Sequence, residues 1–297
     1  MNPYRTVQYQ IGMGSLISNR FGWGKYKGLG FHALILLLAA NSLNAAHVTP
    51  ATLAAWDEQI RAMRSQLERE ADAAARESSL LVADEQFGDR FAVHVESAQP
   101  GGKPVPAGLI HHWTGTEFLP NVRAFDLIAV LEDYDAYSQT YAPAVVESCL
   151  LNREGDDFVY RLKFIQKAMG VKAGLLAEFQ STYVRLSYGS GYSITEATQL
   201  TELENPGRAN ERTLSPSDSH GYIERIFTVV RYREVEGGVW VEVDAMTLSR
   251  DVPAALRWMV TPFIQRLSRQ TMTTTLERLK DKVSAEHTLL SRSAAGR

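Results

Sequence analysis

The chain has 297 residues, a formal net charge of −3 and 45% hydrophobic residues. That charge balance gives no sign of a surface for nucleic acid or acidic lipid, and the apolar content suits a globular protein with a substantial core. Cys149 is the only cysteine, which excludes an intramolecular disulfide and a zinc site built on several thiolates.

The N-terminus carries a targeting pattern. Arg20, Lys25 and Lys27 precede the run "LGFHALILLLAANSLNAA", whose apolar core extends from Leu29 to Ala40. A run of about a dozen apolar residues suits the central region of a signal peptide and is short for a bilayer span. Small residues follow, so residues 1–46 are read as a signal peptide cleaved after Ala45 or Ala46, with Met13 as an alternative start. About 250 residues then remain, enough for one large domain or a domain with an extension. The expected location is the periplasm or the medium, and stability must come from the core rather than from disulfides.

"PATLAAWDEQIRAMRSQLEREADAAARE" predicts a helix over residues 50–77. Thr49 can cap it, and Pro50 suits the first turn, where no backbone donor is needed. Leu53, Trp56, Ile60, Met63 and Leu67 follow 3-4-3-4 spacing and form one apolar stripe. The stripe either packs on its own domain or serves a protein partner. "DRFAVHVESAQPGGKPVP" reads as a short hairpin turning at Pro100-Gly101-Gly102.

From Gly108 the pattern changes. "LIHHWTGTEFL" predicts a strand, and "VRAFDLIAVLEDYDAYSQTYAP" a helical stretch in two pieces that ends at Pro143. Strands follow, with turns at Glu154-Gly155-Asp156, at Gly189–Gly191 and at Gly237-Gly238. "VPAALRWMVTPFIQRLSRQTMTTTLERLKDKV" predicts a long helix with a bend near Pro262, and the residues after Val283 read as a frayed tail. Sequential hairpins favour an antiparallel sheet with the helices covering a face, an α+β fold.

This order, from Gly108 to Val283, resembles the superfamily of START lipid-transfer domains, pollen allergens and polyketide cyclases, the helix-grip fold. "GLIHHWTG", "YDAYSQTYAPAVVESCLLNREGD" and "GGVWVEVDAMTLSRDVP" resemble exported bacterial members of it. The resemblance implies a curved antiparallel sheet wrapped around the long C-terminal helix over residues 108–285. Residues 47–107 would be an N-terminal helix and hairpin extension, and 286–297 a flexible tail. It also implies a hydrophobic ligand between sheet and helix. Some members are cyclases or dehydratases, but no catalytic motif carries over residue by residue.

Charge pairing orients the last hairpin. With Gly237-Gly238 as its loop, Arg231 opposes Asp244 and Arg233 opposes Glu242, as on a solvated face. Ile226, Val230, Val241, Val243 and Ala245 then face the helix, with Glu224, Thr228, Tyr232 and Thr247 among them. A shift of two in the sum of paired positions leaves these faces unchanged. In the strand at 157–168, Phe158, Tyr160, Leu162 and Phe164 alternate with Arg161 and Lys163 and are expected inside, with Tyr183 supplying a polar tip. Thr271 and Thr275, in a helix where threonine is a mediocre former, suggest space above the sheet; the alternative is a partly exposed helix.

The adjacent His111 and His112 point to opposite faces of a regular strand, so they cannot share a metal ion. His112 is expected inward. No H-E-x-x-H, G-x-S-x-G, or glycine-rich phosphate loop is present. The expected function is an exported protein that holds a hydrophobic small molecule or lipid, without cofactor or metal. Its candidate ligand-binding residues are His112, Tyr160, Phe164, Tyr183, Glu224, Thr228, Tyr232, Thr247, Thr271 and Thr275. Two rivals remain. One is a cyclase- or dehydratase-like enzyme using Glu224, His112 or Tyr183 as acid or base. The other is a structural envelope protein that binds a partner through helix 50–77.

Overall fold

The computed structural model describes residues 48–77, 92–168, 171–186, 189–221, 223–251 and 254–295, without the side chains at 74–77, 168, 171, 254–263 and 290–295. The chain divides after Asn44, and all described residues belong to the second unit. The signal-peptide reading lies outside the described residues.

Helix α1 spans Pro50–Glu77. Its start is fixed reciprocally: the Thr52 N–H donates to Thr49 Oγ1 (3.1 Å), and the Thr49 N–H donates to Thr52 Oγ1 (3.0 Å). Two of the orphan donors of the first turn are satisfied in this way. The Thr52 hydroxyl also donates to the Pro106 carbonyl, which ties the helix start to the sheet.

The strands are β1 (His94–Ser97), β2 (Lys103–Val105), β3 (Gly108–Pro120), β4 (Val145–Glu154), β5 (Asp157–Ala168), β6 (Val171–Arg185), β7 (Ser190–Glu204), β8 (Arg212–Thr213), β9 (Arg225–Val235) and β10 (Gly238–Arg250). Between β3 and β4 lie α2 (Ala124–Leu131), a 3₁₀ turn at Tyr134–Ala136 and α3 (Tyr137–Thr140). Helix α4 spans Ala254–Ala295. All strands join one antiparallel sheet in the order β1-β3-β10-β9-β7-β6-β5-β4, with β2 on β3 and β8 on β7. The sheet is curved, with α4 on its inner face and α1 on its outer face. This is the expected helix-grip architecture. Among the described residues no helix is long and apolar enough to cross a membrane.

Three local expectations change. β1 and β2 do not pair with each other. Both run along the same edge of β3, at Thr116–Trp113 and Ile110–Gly108, so they act as one edge strand interrupted by the Pro100-Gly101 turn. The β9–β10 loop is Glu236-Gly237, because Gly238 already pairs with Val235. Register sums therefore fall by two, Glu242 rather than Asp244 opposes Arg231, and the faces survive as parity requires. Finally, α4 continues past Val283 to Ala295, held by His287, whose Nδ1 lies 2.9 Å from Asp126 Oδ2 on α2.

The sheet is covered on both faces. On the inner face Leu119, Phe158, Tyr160, Leu162, Phe179, Tyr232, Val239 and Val241 pack with Leu127 and Val130 of α2 and with Leu279 and Val283 of α4. On the outer face Trp56, Ile60, Met63 and Leu67 of α1 pack on Ile110, Phe227, Val229, Met246 and Leu248. Burying each of those four α1 side chains contributes about 1.5–3 kcal/mol gross. The apolar stripe of α1, one of the surfaces considered for a partner, is thus spent on the protein's own sheet.

Candidate functional site

Burial differs between the two faces of the same central strands. On β9 and β10 the outward residues Phe227, Val229, Arg231, Asp244, Met246 and Leu248 are all buried under α1. Their inward neighbours Ile226, Thr228, Val230, Val243, Ala245 and Thr247 are only partly buried. Helix α4 packs on β3, β1 and α2, to one side of the sheet's middle. Among the described residues its buried positions, Met272, Leu276, Leu279 and Val283, form a single stripe. From one flank of that stripe Arg269 reaches the Val95 carbonyl, Lys280 reaches Glu117 and His287 reaches Asp126. Thr275 lies on the other flank with Ile264 and Ser268, all partly buried. Between that flank and β7, β9 and β10 lies a strip of inner-face residues that are only partly buried, termed the trough.

The floor of the trough follows from register. One cross-strand row runs Phe158–Ser181–Thr195–Thr228–Ala245–Trp113 over β5, β6, β7, β9, β10 and β3. Residues directly opposite on one face are nearest neighbours, so this row is contiguous. Aromatic rings stand at its ends, and small or hydroxylated side chains fill its middle. Ser181 Oγ and Thr195 Oγ1 lie 2.7 Å apart.

One end of the trough is closed by aromatic packing. Tyr134 stacks on Tyr160 with ring centroids 3.9 Å apart, and Tyr160 stacks on Phe179 at 5.2 Å. The Tyr183 hydroxyl donates to the Leu131 carbonyl (2.9 Å) and lies 3.0 Å from the Tyr134 hydroxyl. The Tyr137 hydroxyl donates to the same carbonyl at 2.6 Å. Burial drives the Tyr160 and Tyr183 pKa values well above the ordinary phenol value. Both are therefore neutral hydroxyls near neutral pH, suited to hydrogen bonding rather than to proton abstraction. Tyr141, whose pKa burial also raises, makes an edge-on contact with Tyr137, and its hydroxyl has no hydrogen-bond partner among the described residues.

The expected site residues divide accordingly. Thr228, Thr247 and Thr275 border the trough. Tyr160, Phe164, Tyr183 and Tyr232 belong to the aromatic core at its closed end. Thr271 is exposed, one residue off the buried stripe of α4. Glu224 sits just before β9, and its Oε1 accepts from Arg250 Nε at 2.6 Å, so it is an ion-paired strand-end residue. His112 faces outward. Its Nε2 lies 2.8 Å from Asp244 Oδ1, on the α1 side, and the inward position belongs to His111. Burial lowers the His111 pKa.

The three candidate acid–base groups are therefore not assembled. His112 lies on the opposite face. Tyr183 aligns through Ser193 with Val230, six residues along β9 from Glu224, a separation of roughly 20 Å at about 3.3 Å per residue.

Two features escaped the sequence reading. Ser181 and Thr195 became visible only through the register of β6 and β7. Glu117, on the inner face of β3, is fully buried, with Lys280 bonded to Oε1 and no partner for Oε2 among the described residues. Burial raises its pKa, and the Lys280 bond and charge oppose that shift.

No family model matches the chain, and no curated protein matches it. Among solved structures it is similar to a STAR-related lipid transfer protein fragment from Xanthomonas axonopodis, at 17% identity over 66% of this chain and 99% of that one, with a TM-score of 0.43. It is similar to human STARD10, at 12% identity over 74% and 89%, with a TM-score of 0.45. It is also similar to the Zhui aromatase/cyclase from Streptomyces sp. R1128, at 10% identity over 59% and 94%, with a TM-score of 0.40.

Proposed function

We propose that the protein is an exported carrier or sequestering protein that holds a hydrophobic small molecule or lipid in the trough between α4 and the inner face. The observation that carries this reading is the contrast in burial along β9 and β10. Residues facing α1 are sealed, while the alternating residues facing α4 are left partly open. Such a trough supplies apolar walls and a short row of hydroxyls, the usual composition of a small-molecule site. Each buried methylene contributes about 0.8 kcal/mol, so an alkyl chain of ten gains roughly 8 kcal/mol gross before any polar contact. Thr195 and Thr228 would orient the ligand more than they bind it.

The test is native mass spectrometry of the protein purified from the cell envelope, beside a Thr228→Trp variant. The expected result is a reproducible organic adduct in the native protein that the folded variant lacks. Absence of any adduct, or equal loading of the variant, would overturn the reading. Export is part of the proposal and rests on the basic, apolar and small-residue order of residues 20–46. N-terminal sequencing of the exported protein should begin near residue 46 or 47, and an intact residue 30 would contradict it.

A further inference from the structure

Pairing between β7 and β9 stops at Glu196–Phe227. Beyond that pair the strands part, and α1 lies beside the notch. A groove of about 360 Å³ opens there, within the range of roughly 300–1,000 Å³ common to small-molecule sites. Its apolar lining comes from Trp56 and Ile60 of α1, from Ala197 of β7 and from Ile226 and Phe227 of β9. Its charged lining has three arginines, Arg61, Arg64 and Arg225, against two acids, Asp57 and Glu196.

The charges are not equivalent. Arg64 is committed: it pairs with Glu196 and lies over the Phe227 ring, 5.4 Å from its centroid. Arg61 and Arg225 bind no carboxylate among the described residues. Arg61 Nε donates to the Asp57 carbonyl at 3.3 Å, and Arg225 Nη1 donates to the Glu224 carbonyl at 2.7 Å. The other guanidinium N–H groups of both residues have no partner among the described residues. Guanidinium forks favour carboxylate and phosphate oxygens, and water-excluding aromatic surface beside them favours an alkyl chain.

We propose that this groove binds an anionic single-chain amphiphile. The headgroup lies against Arg61 and Arg225, and the first part of the chain lies on Trp56, Ile60 and Phe227. The site is on the α1 side of the sheet and does not depend on the ligand proposed for the inner trough.

The test titrates the full-length protein with decanoate, decanol and acetate, by calorimetry. Three proteins are compared: wild type, Arg61→Ala/Arg225→Ala, and Thr228→Trp. Both arginines are exposed, so their removal should leave the fold intact, which circular dichroism checks. Decanoate should bind wild type and Thr228→Trp alike and the double variant at least tenfold more weakly, decanol should bind at least tenfold more weakly than decanoate, and acetate should not compete. Equal binding of decanol, unchanged binding in the double variant, or no decanoate binding would overturn the proposal. Full competition by acetate would reduce the site to a simple anion site and overturn the amphiphile. Binding lost only in Thr228→Trp would overturn the groove while supporting the inner trough.

Discussion

Arg231 of β9 donates to Asp244 of β10 although the two are not opposite each other; Arg231 opposes Glu242, and Asp244 opposes Val229. The guanidinium also bonds Glu242 (3.1 Å) and, through Nε, Glu70 of α1 (3.0 Å). Its side chain is 2% exposed. A buried cation held by three carboxylates, one of them from the covering helix, clasps α1 to the sheet. Removing the cation strands buried anions. Arg231→Ala should cost about 3–5 kcal/mol, whereas Glu70→Gln should cost under about 1 kcal/mol, because Glu70 is more exposed. Urea unfolding of the two variants measures the difference.

The same cluster sets an acid response. Burial alone would raise the Asp244 pKa, but bonds from His112 and Thr114 and the Arg231 charge outweigh it and hold it at about 2, below its ordinary 3.8. A depressed carboxylate pKa adds stability above the unfolded value, and that stability fades as pH falls through the folded value. The stability difference between wild type and Asp244→Asn should therefore shrink by about 2 kcal/mol between about pH 5 and pH 2. Urea midpoints across that range check it.

Glu117 has the opposite sign. Burial raises its pKa, so its ionisation disfavours the folded state as pH rises through and above the ordinary carboxylate value. Glu117→Gln should gain stability relative to wild type between pH 4 and pH 7, measured by urea unfolding. A difference that stays constant over that range would show that Lys280 compensates the buried charge.

Deletion of residues 50–77 should not leave a folded remainder. It uncovers Phe227, Val229, Met246 and Leu248 together and removes the Glu70 bond. The expected outcome is loss of cooperative thermal unfolding and aggregation on size exclusion. A monodisperse, cooperatively folding remainder would show instead that α1 is a detachable module.

Helix α4 rests on β3 where Gly115 leaves room. A Cβ there would come within 2.7 Å of Met272 Cγ and Leu276 Cδ1. Gly115→Ala should cost about 1–3 kcal/mol through overpacking, and Gly115→Leu should lift α4 and loosen the binding proposed for the trough. Thermal unfolding and native mass spectrometry of the pair check this.

Much of the fold was legible in the sequence. The Thr49-Pro50 start and the stripe through Trp56 and Leu67 specified α1, and alternation in β5, β9 and β10 gave the inward faces correctly even though the turn was placed one residue late. The function of the outer face was not legible. Opposite charges on Arg231 and Asp244 are what a solvated face uses, and also what a buried cluster uses. Only the position of α1 separates the two. His112 was misplaced for a related reason. With a helix on each side of the sheet, β3 is apolar on both faces, from Leu109 and Trp113 inward to Ile110 and Phe118 outward, so hydropathy could not say which way was in. Thr271 and Thr275 lie on one side of α4, but Thr271 is one step of about 40° further from the buried stripe, enough to expose it while Thr275 stays partly buried.

The uneven cover of the sheet makes β9 and β10 obey two rules at once. Odd-numbered positions from 227 to 231 on β9, and even-numbered positions from 244 to 248 on β10, hold the molecule together. The positions between them from 226 to 230 and from 243 to 247 lean on no such complete packing. A library of substitutions along these strands should alternate between intolerance and tolerance with a period of two residues. Under the proposed function, the tolerant phase is where ligand preference changes by drift without first unfolding the protein.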